Sequence, residues 1–190
     1  MKENKTLFIK VFVPVLILAV IVGMWFVKNQ LDISEKAESE QLSQENPELP
    51  EKLQSADFSL NITEVVDFEE LAEYEIPVIV DYGADSCIPC KQMAPVLERL
   101  NKEMYGKAFI KFGDVWKYPE AVSNVPVQVI PTQLFFNADG TPFEPSDKLH
   151  EEVVFDYYSH VETGEHIFTV HQGGLTEEQM RMILAEMGVE

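Results

Sequence analysis

Val78-Ile79-Val80-Asp81-Tyr82-Gly83-Ala84-Asp85-Ser86-Cys87-Ile88-Pro89-Cys90-Lys91-Gln92-Met93-Ala94-Pro95 is the stretch on which the reading of this 190-residue chain turns. It begins inside an unbroken apolar run at residues 76–80, which suits a strand covered on both faces. It ends inside residues 90–105, where Met93, Val96, Leu97, Leu100 and Met104 fall at helical spacing and Gly106 supplies a terminator. Between strand and helix stand the only two cysteines of the chain, with two residues between them.

Outward from this block the strand and helix patterns alternate. Residues 57–62 alternate weakly, as a short strand. Asp67, with Glu70 three residues on, opens a helix. Residues 108–112 form a second apolar strand, 119–123 a short helix, and 133–136 a third strand that turns at Ala138-Asp139-Gly140. Residues 153–158 and 166–170 read as two strands of a hairpin around Glu162-Thr163-Gly164-Glu165. Thr176-Glu177-Glu178-Gln179 is a capping box before a last amphipathic helix through Met180, Ile183, Leu184 and Met187. Such alternation predicts an α/β sheet with helices on both faces.

The chemistry lies in Cys87-Ile88-Pro89-Cys90. A two-residue gap lets both sulfurs form a small disulfide ring at a helix N-terminus, where the helix dipole favours the thiolate of the first cysteine. Attack on a substrate disulfide then gives a mixed disulfide that the second cysteine resolves. Two blander readings compete. The pair can be an inert or regulatory staple, or half of a metal site. A structural zinc site normally has four ligands, and His150, His160, His166 and His171 all lie far along the chain, so no metal is expected.

The block 78–95 resembles the thioredoxin family's strand, active-site loop and helix. Ile130-Pro131-Thr132 resembles the family's cis-proline loop, and Gly173-Gly174-Leu175 with the last helix resembles its ending. The resemblance spans about 57–190, with an extra hairpin insertion at about 143–171. It implies a thioredoxin-like fold, a central mixed sheet with helices on both faces, and no cofactor. By the same resemblance Cys87 is the exposed nucleophile and Cys90 the resolving thiol. Asp81 lies beneath the disulfide, where an apolar setting raises a carboxyl pKa and lets it exchange a proton with Cys90. Pro131 is cis and presents the backbone of Ile130 to an extended substrate peptide. Pro95 kinks the helix, and Lys91 supports the thiolate.

Two departures point to a narrower set of partners. Many family members carry Trp immediately before the first Cys and again three residues earlier; here these positions are Ser86 and Gly83. Asp85 adds a negative charge that opposes thiolate formation. With Ile88-Pro89 between the cysteines there is no His to stabilise a thiolate, so a reducing couple is expected. Running the same fold as an oxidase or isomerase, or as a non-catalytic binding or redox-sensing module, are the alternatives. The implied partners are protein disulfides and, for a reductant outside the cytoplasm, a membrane electron-donor protein.

The N-terminal segment sets location. Residues 11–27 are uncharged, and 7–27 would cover about 31 Å as a helix, enough for a hydrocarbon core. Lys10 can snorkel. A cleaved signal peptide competes, but its apolar region is usually shorter and followed by small residues, whereas this run ends Met24-Trp25-Phe26-Val27-Lys28. Lys2, Lys5 and Lys10 precede the run and mostly acidic residues follow it, which places residues 1–28 as a cytoplasmic N-terminus with a transmembrane signal anchor and the remainder outside the cytoplasmic membrane. Residues 29–56, rich in Glu, Gln and Ser, read as an acidic flexible linker. The net charge of −19 excludes a general nucleic-acid binder, which needs clustered Lys and Arg.

Overall fold

The computed structural model describes residues 49–189. The sequence-based assignments of an anchor to 1–28 and of most of a linker to 29–56 lie outside these residues. Among the described residues no helix is long and apolar enough to cross a membrane.

One six-stranded mixed sheet organises the domain. Its strands are β1 (Asn61–Ile62), β2 (Val78–Gly83), β3 (Phe109–Asp114), β4 (Thr132–Phe136), β5 (Asp156–Ser159) and β6 (His166–Gln172). They lie in the order β1-β3-β2-β4-β6-β5. The pairs β1·β3 and β3·β2 are parallel and the other three antiparallel. The helices are α1 (Phe68–Ala72), α2 (Ile88–Glu103), α3 (Asp147–His150) and α4 (Glu177–Glu186). Local chemistry fixes their starts. Asp67 accepts from the N–H groups of Glu69 and Glu70, Ser146 from that of Leu149, and Thr176 and Gln179 close the capping box of α4. At the other end of α2, Gly106 takes φ 75°, a left-handed conformation that ends the helix and returns the chain to β3.

Alternation along the central strands divides the core in two. Ile79, Ile110 and Phe135 face α2 and α4 and pack with Met93, Leu97, Leu100, Met180, Ile183 and Leu184. Val78, Val80, Tyr82, Phe109, Leu134 and Phe136 face the other way, against Phe58, Val66 and the apolar side chains of α1. The helices cover both faces, so β2 and β4 read as buried throughout.

Three particulars differ from the sequence reading. The packed domain extends back into the stretch assigned to the linker. Glu51–Ser55 forms a 3-10 turn whose Leu53 is buried in the second cluster, and Leu49 and Ala56 pack against it. Three apolar side chains among polar neighbours suffice to anchor this turn, although the averaged composition is that of a tether. The first strand shrinks to Asn61–Ile62. The hairpin of β5 and β6 is joined to the sheet through β6, which pairs with β4, so of its two strands β5 alone lies at the edge, opposite β1 at the other. Val153 and Phe155, assigned to the first strand of the hairpin, instead bury in the core beside α3.

Candidate active site

The C-terminal end of β2 delivers the chain to the N-terminus of α2, and Cys87 is the N-cap residue there. Its Sγ accepts the Cys90 N–H at 3.3 Å. Pro89 falls in the first helical turn, where its missing N–H is no loss. Cys87 and Cys90 are joined in a disulfide with Cα atoms 5.3 Å apart. The two sulfurs are unequal: Cys87 is half-buried, whereas Cys90 is 4% exposed. Only Cys87 can be met by an incoming disulfide without rearrangement.

The walls of the site come from three further segments. Ile130–Pro131 is a cis peptide, and the carbonyl oxygen of Ile130 lies 3.9 Å from Cys87 Sγ. The Gly173 N–H donates to the Pro131 carbonyl at 2.9 Å, which ties the loop after β6 to the proline loop. Met93 Sδ accepts from the Leu175 N–H at 3.3 Å and from Gln133 Nε2 at 3.5 Å, joining α2 to the loop before α4 and to β4. Beneath the disulfide, Gly83 leaves room for Cys90: a Cβ at 83 would stand 3.1 Å from Cys90 Sγ and 3.0 Å from the Phe112 ring.

Asp81 lies on β2 two residues before Gly83 and so on the same face of the sheet. It is completely buried. Burial pushes its carboxyl up to about 7, against the opposing effect of a hydrogen bond from Gln133 Nε2 at 2.5 Å. Its other oxygen, Oδ2, has no hydrogen-bond partner among the described residues. Among the described residues no cation reaches it. Lys111, on the adjacent strand, pairs in register with Val80 and belongs to the opposite face.

Lys91 is exposed at the start of α2, next to Cys90 in the chain. Pro95 lies inside α2, where it removes one helical N–H. A cavity of about 160 Å³ runs between Cys90, Lys91, Asp85 and Phe112 along the buried flank of the second cysteine.

The geometry corrects one electrostatic expectation. The Asp85 carboxylate does not act alone on the cysteines, because it pairs with the Lys117 ammonium. Asp114 organises this corner. Its carboxylate accepts from the N–H groups of Asp85, Trp116 and Lys117. Burial works against its charge, but these donors and the Lys117 ammonium outweigh burial and hold the carboxyl below its usual range. The result fastens the loop after β3 to the loop before Cys87 and leaves Trp116 64% exposed on that loop. Ile88 and Val129 are exposed too, so apolar surface remains on both segments that flank the sulfurs. Trp116, Asp114 and Gln133 were missed in the sequence, which shows neither which loops meet nor which residues stand opposite each other across the sheet.

Comparison with known proteins now decides the family. A thioredoxin family model matches residues 60–159. The chain belongs to the thioredoxin family. The thioredoxin of Staphylococcus aureus (strain Mu50 / ATCC 700699) is 38% identical over 91 residues, 45% of this chain and 86% of that protein. The thioredoxin of Rickettsia typhi is 33% identical over 76 residues, 40% of this chain and 72% of its own length. Among solved structures, that of Fasciola hepatica thioredoxin aligns with TM-score 0.46 and 22% identity over 67% of this chain and 97% of that one. With its Cys87–Cys90 pair in disulfide geometry at the head of α2, this thioredoxin-family chain is a thiol-disulfide oxidoreductase.

Proposed function

We propose that the chain is a membrane-tethered reductase of protein disulfides outside the cytoplasm. The observation that carries the exchange mechanism is the inequality of the two sulfurs, one half-buried at the helix N-terminus and one buried above Gly83. Cys87, as thiolate, attacks a substrate disulfide; one substrate sulfur leaves as a thiol and the other stays joined to Cys87. Cys90 then attacks Cys87 Sγ, which forms the Cys87–Cys90 bond and releases the second substrate thiol. Two electrons pass from the dithiol to the substrate. Asp81 takes the Cys90 proton, and the backbone at Ile130 and Pro131 lies along the path of the substrate chain. Lys91, at the start of α2, favours the anionic form of the pair.

The reducing direction is supported by Ile88-Pro89, which puts no imidazolium beside the thiolate. The pairing of Asp85 with Lys117 withdraws the second argument for that direction, the acidic charge near Cys87. Tethering rests on the apolar run at 7–27, and the outward orientation on the lysines that precede it. Electrons would then come from a membrane protein that carries a dithiol.

The decisive measurement is the equilibrium potential of the Cys87–Cys90 pair in dithiothreitol or glutathione buffers. A value near or below about −250 mV is expected, and one above about −150 mV would make the protein a net oxidant. In cells, Cys90→Ser is expected to accumulate mixed disulfides through Cys87 that a membrane-impermeant thiol reagent can reach from outside. Failure to trap partners would remove the exchange mechanism, and trapping only inside the cell would remove the orientation.

A further inference from the structure

Gln133 lies where an apolar residue is expected, inside the buried strand Thr132–Phe136. In the antiparallel register of β2 and β4 it stands directly opposite Asp81. Both side chains are fully buried. A carboxyl in that position ordinarily has several donors or a cation against it. This one has a single donor, Gln133 Nε2, on Oδ1. Among the described residues Asp81 Oδ2 and Gln133 Oε1 have no hydrogen-bond partners. The amide is itself held, because Nε2 also donates to Met93 Sδ on α2, one helical turn from Cys90.

Among the described residues the surroundings leave this pair electrostatically isolated. On β2, Tyr82 points to the opposite face. On β3, Asp81 pairs with Phe112, Lys111 faces away with its ammonium on Asp57 and Ser59, and the Asp114 carboxylate is taken up by three N–H groups. From α2 come Cys90 and Met93, with Lys91 and Glu98 exposed. On β6, His171 is the next residue in the row beyond Gln133, half-buried, with its ring on the Val154 carbonyl.

We propose that Gln133 is a positioning residue that grips Asp81 by Oδ1 and so reserves Oδ2 as the oxygen that exchanges a proton with the Cys90 thiol. The inference rests on the reading of Asp81 as the proton acceptor for Cys90. An amide suits the task better than a cation. Its NH2 donates to Oδ1 whether that oxygen belongs to the carboxylate or is the carbonyl oxygen of an acid protonated on Oδ2, so it partners Asp81 in both states without turning over. A lysine there would favour the anion alone. In the resolving step the Cys90 S–H proton moves to Oδ2 and the Cys90 sulfur bonds to Cys87. The electron pair of the broken Cys87–substrate bond leaves on the substrate sulfur.

The test uses the reduced full-length chain mixed with excess 5,5′-dithiobis(2-nitrobenzoate). The first thionitrobenzoate release reports attack by Cys87, and the second reports resolution by Cys90. The second phase is expected to rise with pH through a midpoint near 7, where the Asp81 carboxyl titrates. Gln133→Met, nearly isosteric, removes the donor and is expected to move that midpoint up by about one pH unit, with the first phase unchanged. Gln133→Glu sets a second carboxyl against the first and is expected to move it further. His171→Gln is expected to leave it in place. A measurement without any variant accompanies these: the Gln133 side-chain amide 15N resonance should titrate with the Asp81 carboxyl 13C resonance. If Asp81→Asn abolishes the inflection while the Gln133 variants and the amide resonance do not move, the positioning role is wrong and the reading of Asp81 stands. If Asp81→Asn leaves the inflection intact, the reading of Asp81 fails and the proposal fails with it.

Discussion

Asp81 and Lys111 stand on neighbouring strands, one register step apart, and both are buried, yet the two faces of the sheet treat them differently. Lys111 faces away from the cysteines. Its Nζ donates to the carbonyls of Asp57 at 2.6 Å and Ser59 at 2.9 Å and lies 3.7 Å from the Asp57 carboxylate. Burial pulls its pKa down and the Asp57 carboxylate pulls it back up. Every proton on that ammonium has an oxygen to meet. Asp81 faces the cysteines with, among the described residues, one neutral donor and one bare oxygen. A buried charge with a full set of partners fixes the chain in place, here the segment before β1. A buried group left short of partners changes its protonation state instead, and that is what proton exchange requires.

The sharpest way to break this contrast is Asp81→Asn. The folded-state carboxyl is raised to about 7, well above its value in an unfolded chain. Below about pH 4 both states hold the proton and the group has no effect on stability. As pH rises toward 7 the unfolded chain ionises freely while the native one resists, so stability falls across that window. Asp81→Asn is therefore expected to raise stability by up to about 4 kcal/mol above pH 7 and by nothing below about pH 4. Resolution of mixed disulfides by Cys90 should slow in the same variant. Denaturant melts at pH 4 and pH 8 check it, and an equal change at both pH values would show that Asp81 does not carry the titration.

Lys111→Met is expected to do the reverse. It leaves two carbonyls without their donor and should cost about 2 kcal/mol, with turnover per folded molecule unchanged. If it shifts the pH dependence of the disulfide exchange, then Lys111 communicates with Asp81 across the sheet and the division into a structural and a reactive face does not hold.

The same contrast explains how much could be read from the residues alone. The alternation of strands and helices, the capping box at Thr176 and the cysteine pair before α2 depend on neighbours within a few positions, and local chemistry records those. That Asp81 is buried could be anticipated from the apolar run at 76–80 that it directly follows. Its partner could not. Gln133 in 133–136 reads as one polar residue in a strand, and only the pairing of β4 with β2 sets it opposite Asp81. Lys111 likewise reads as an ordinary strand residue until residues 57–59 fold across it. Leu53 was lost in the acidic stretch because averaged composition hides a single anchoring side chain. Trp116 stands next to the reactive loop through the bonds of Asp114, which link residues 29 positions apart.

The mildest test concerns a lysine of the opposite kind. Lys117 is exposed, and its ammonium pairs with Asp85 and lies 3.8 Å from Asp114. Where Lys111 is bound to buried backbone, Lys117 shields a surface charge two residues from Cys87. Lys117→Ala is expected to leave stability essentially unchanged, since exposed pairs contribute little. It should nonetheless expose the Cys87 thiolate to the Asp85 carboxylate and slow its attack by about twofold at low ionic strength, an effect that fades toward 1 M salt, where the screening length is about 3 Å. The first thionitrobenzoate phase, followed against salt, measures this directly. A loss that persists at high salt would mean that Lys117 acts through the geometry of the Asp114 corner and not through its charge, and Asp85→Asn in the same background separates the two, because it should restore the rate only where charge is the cause.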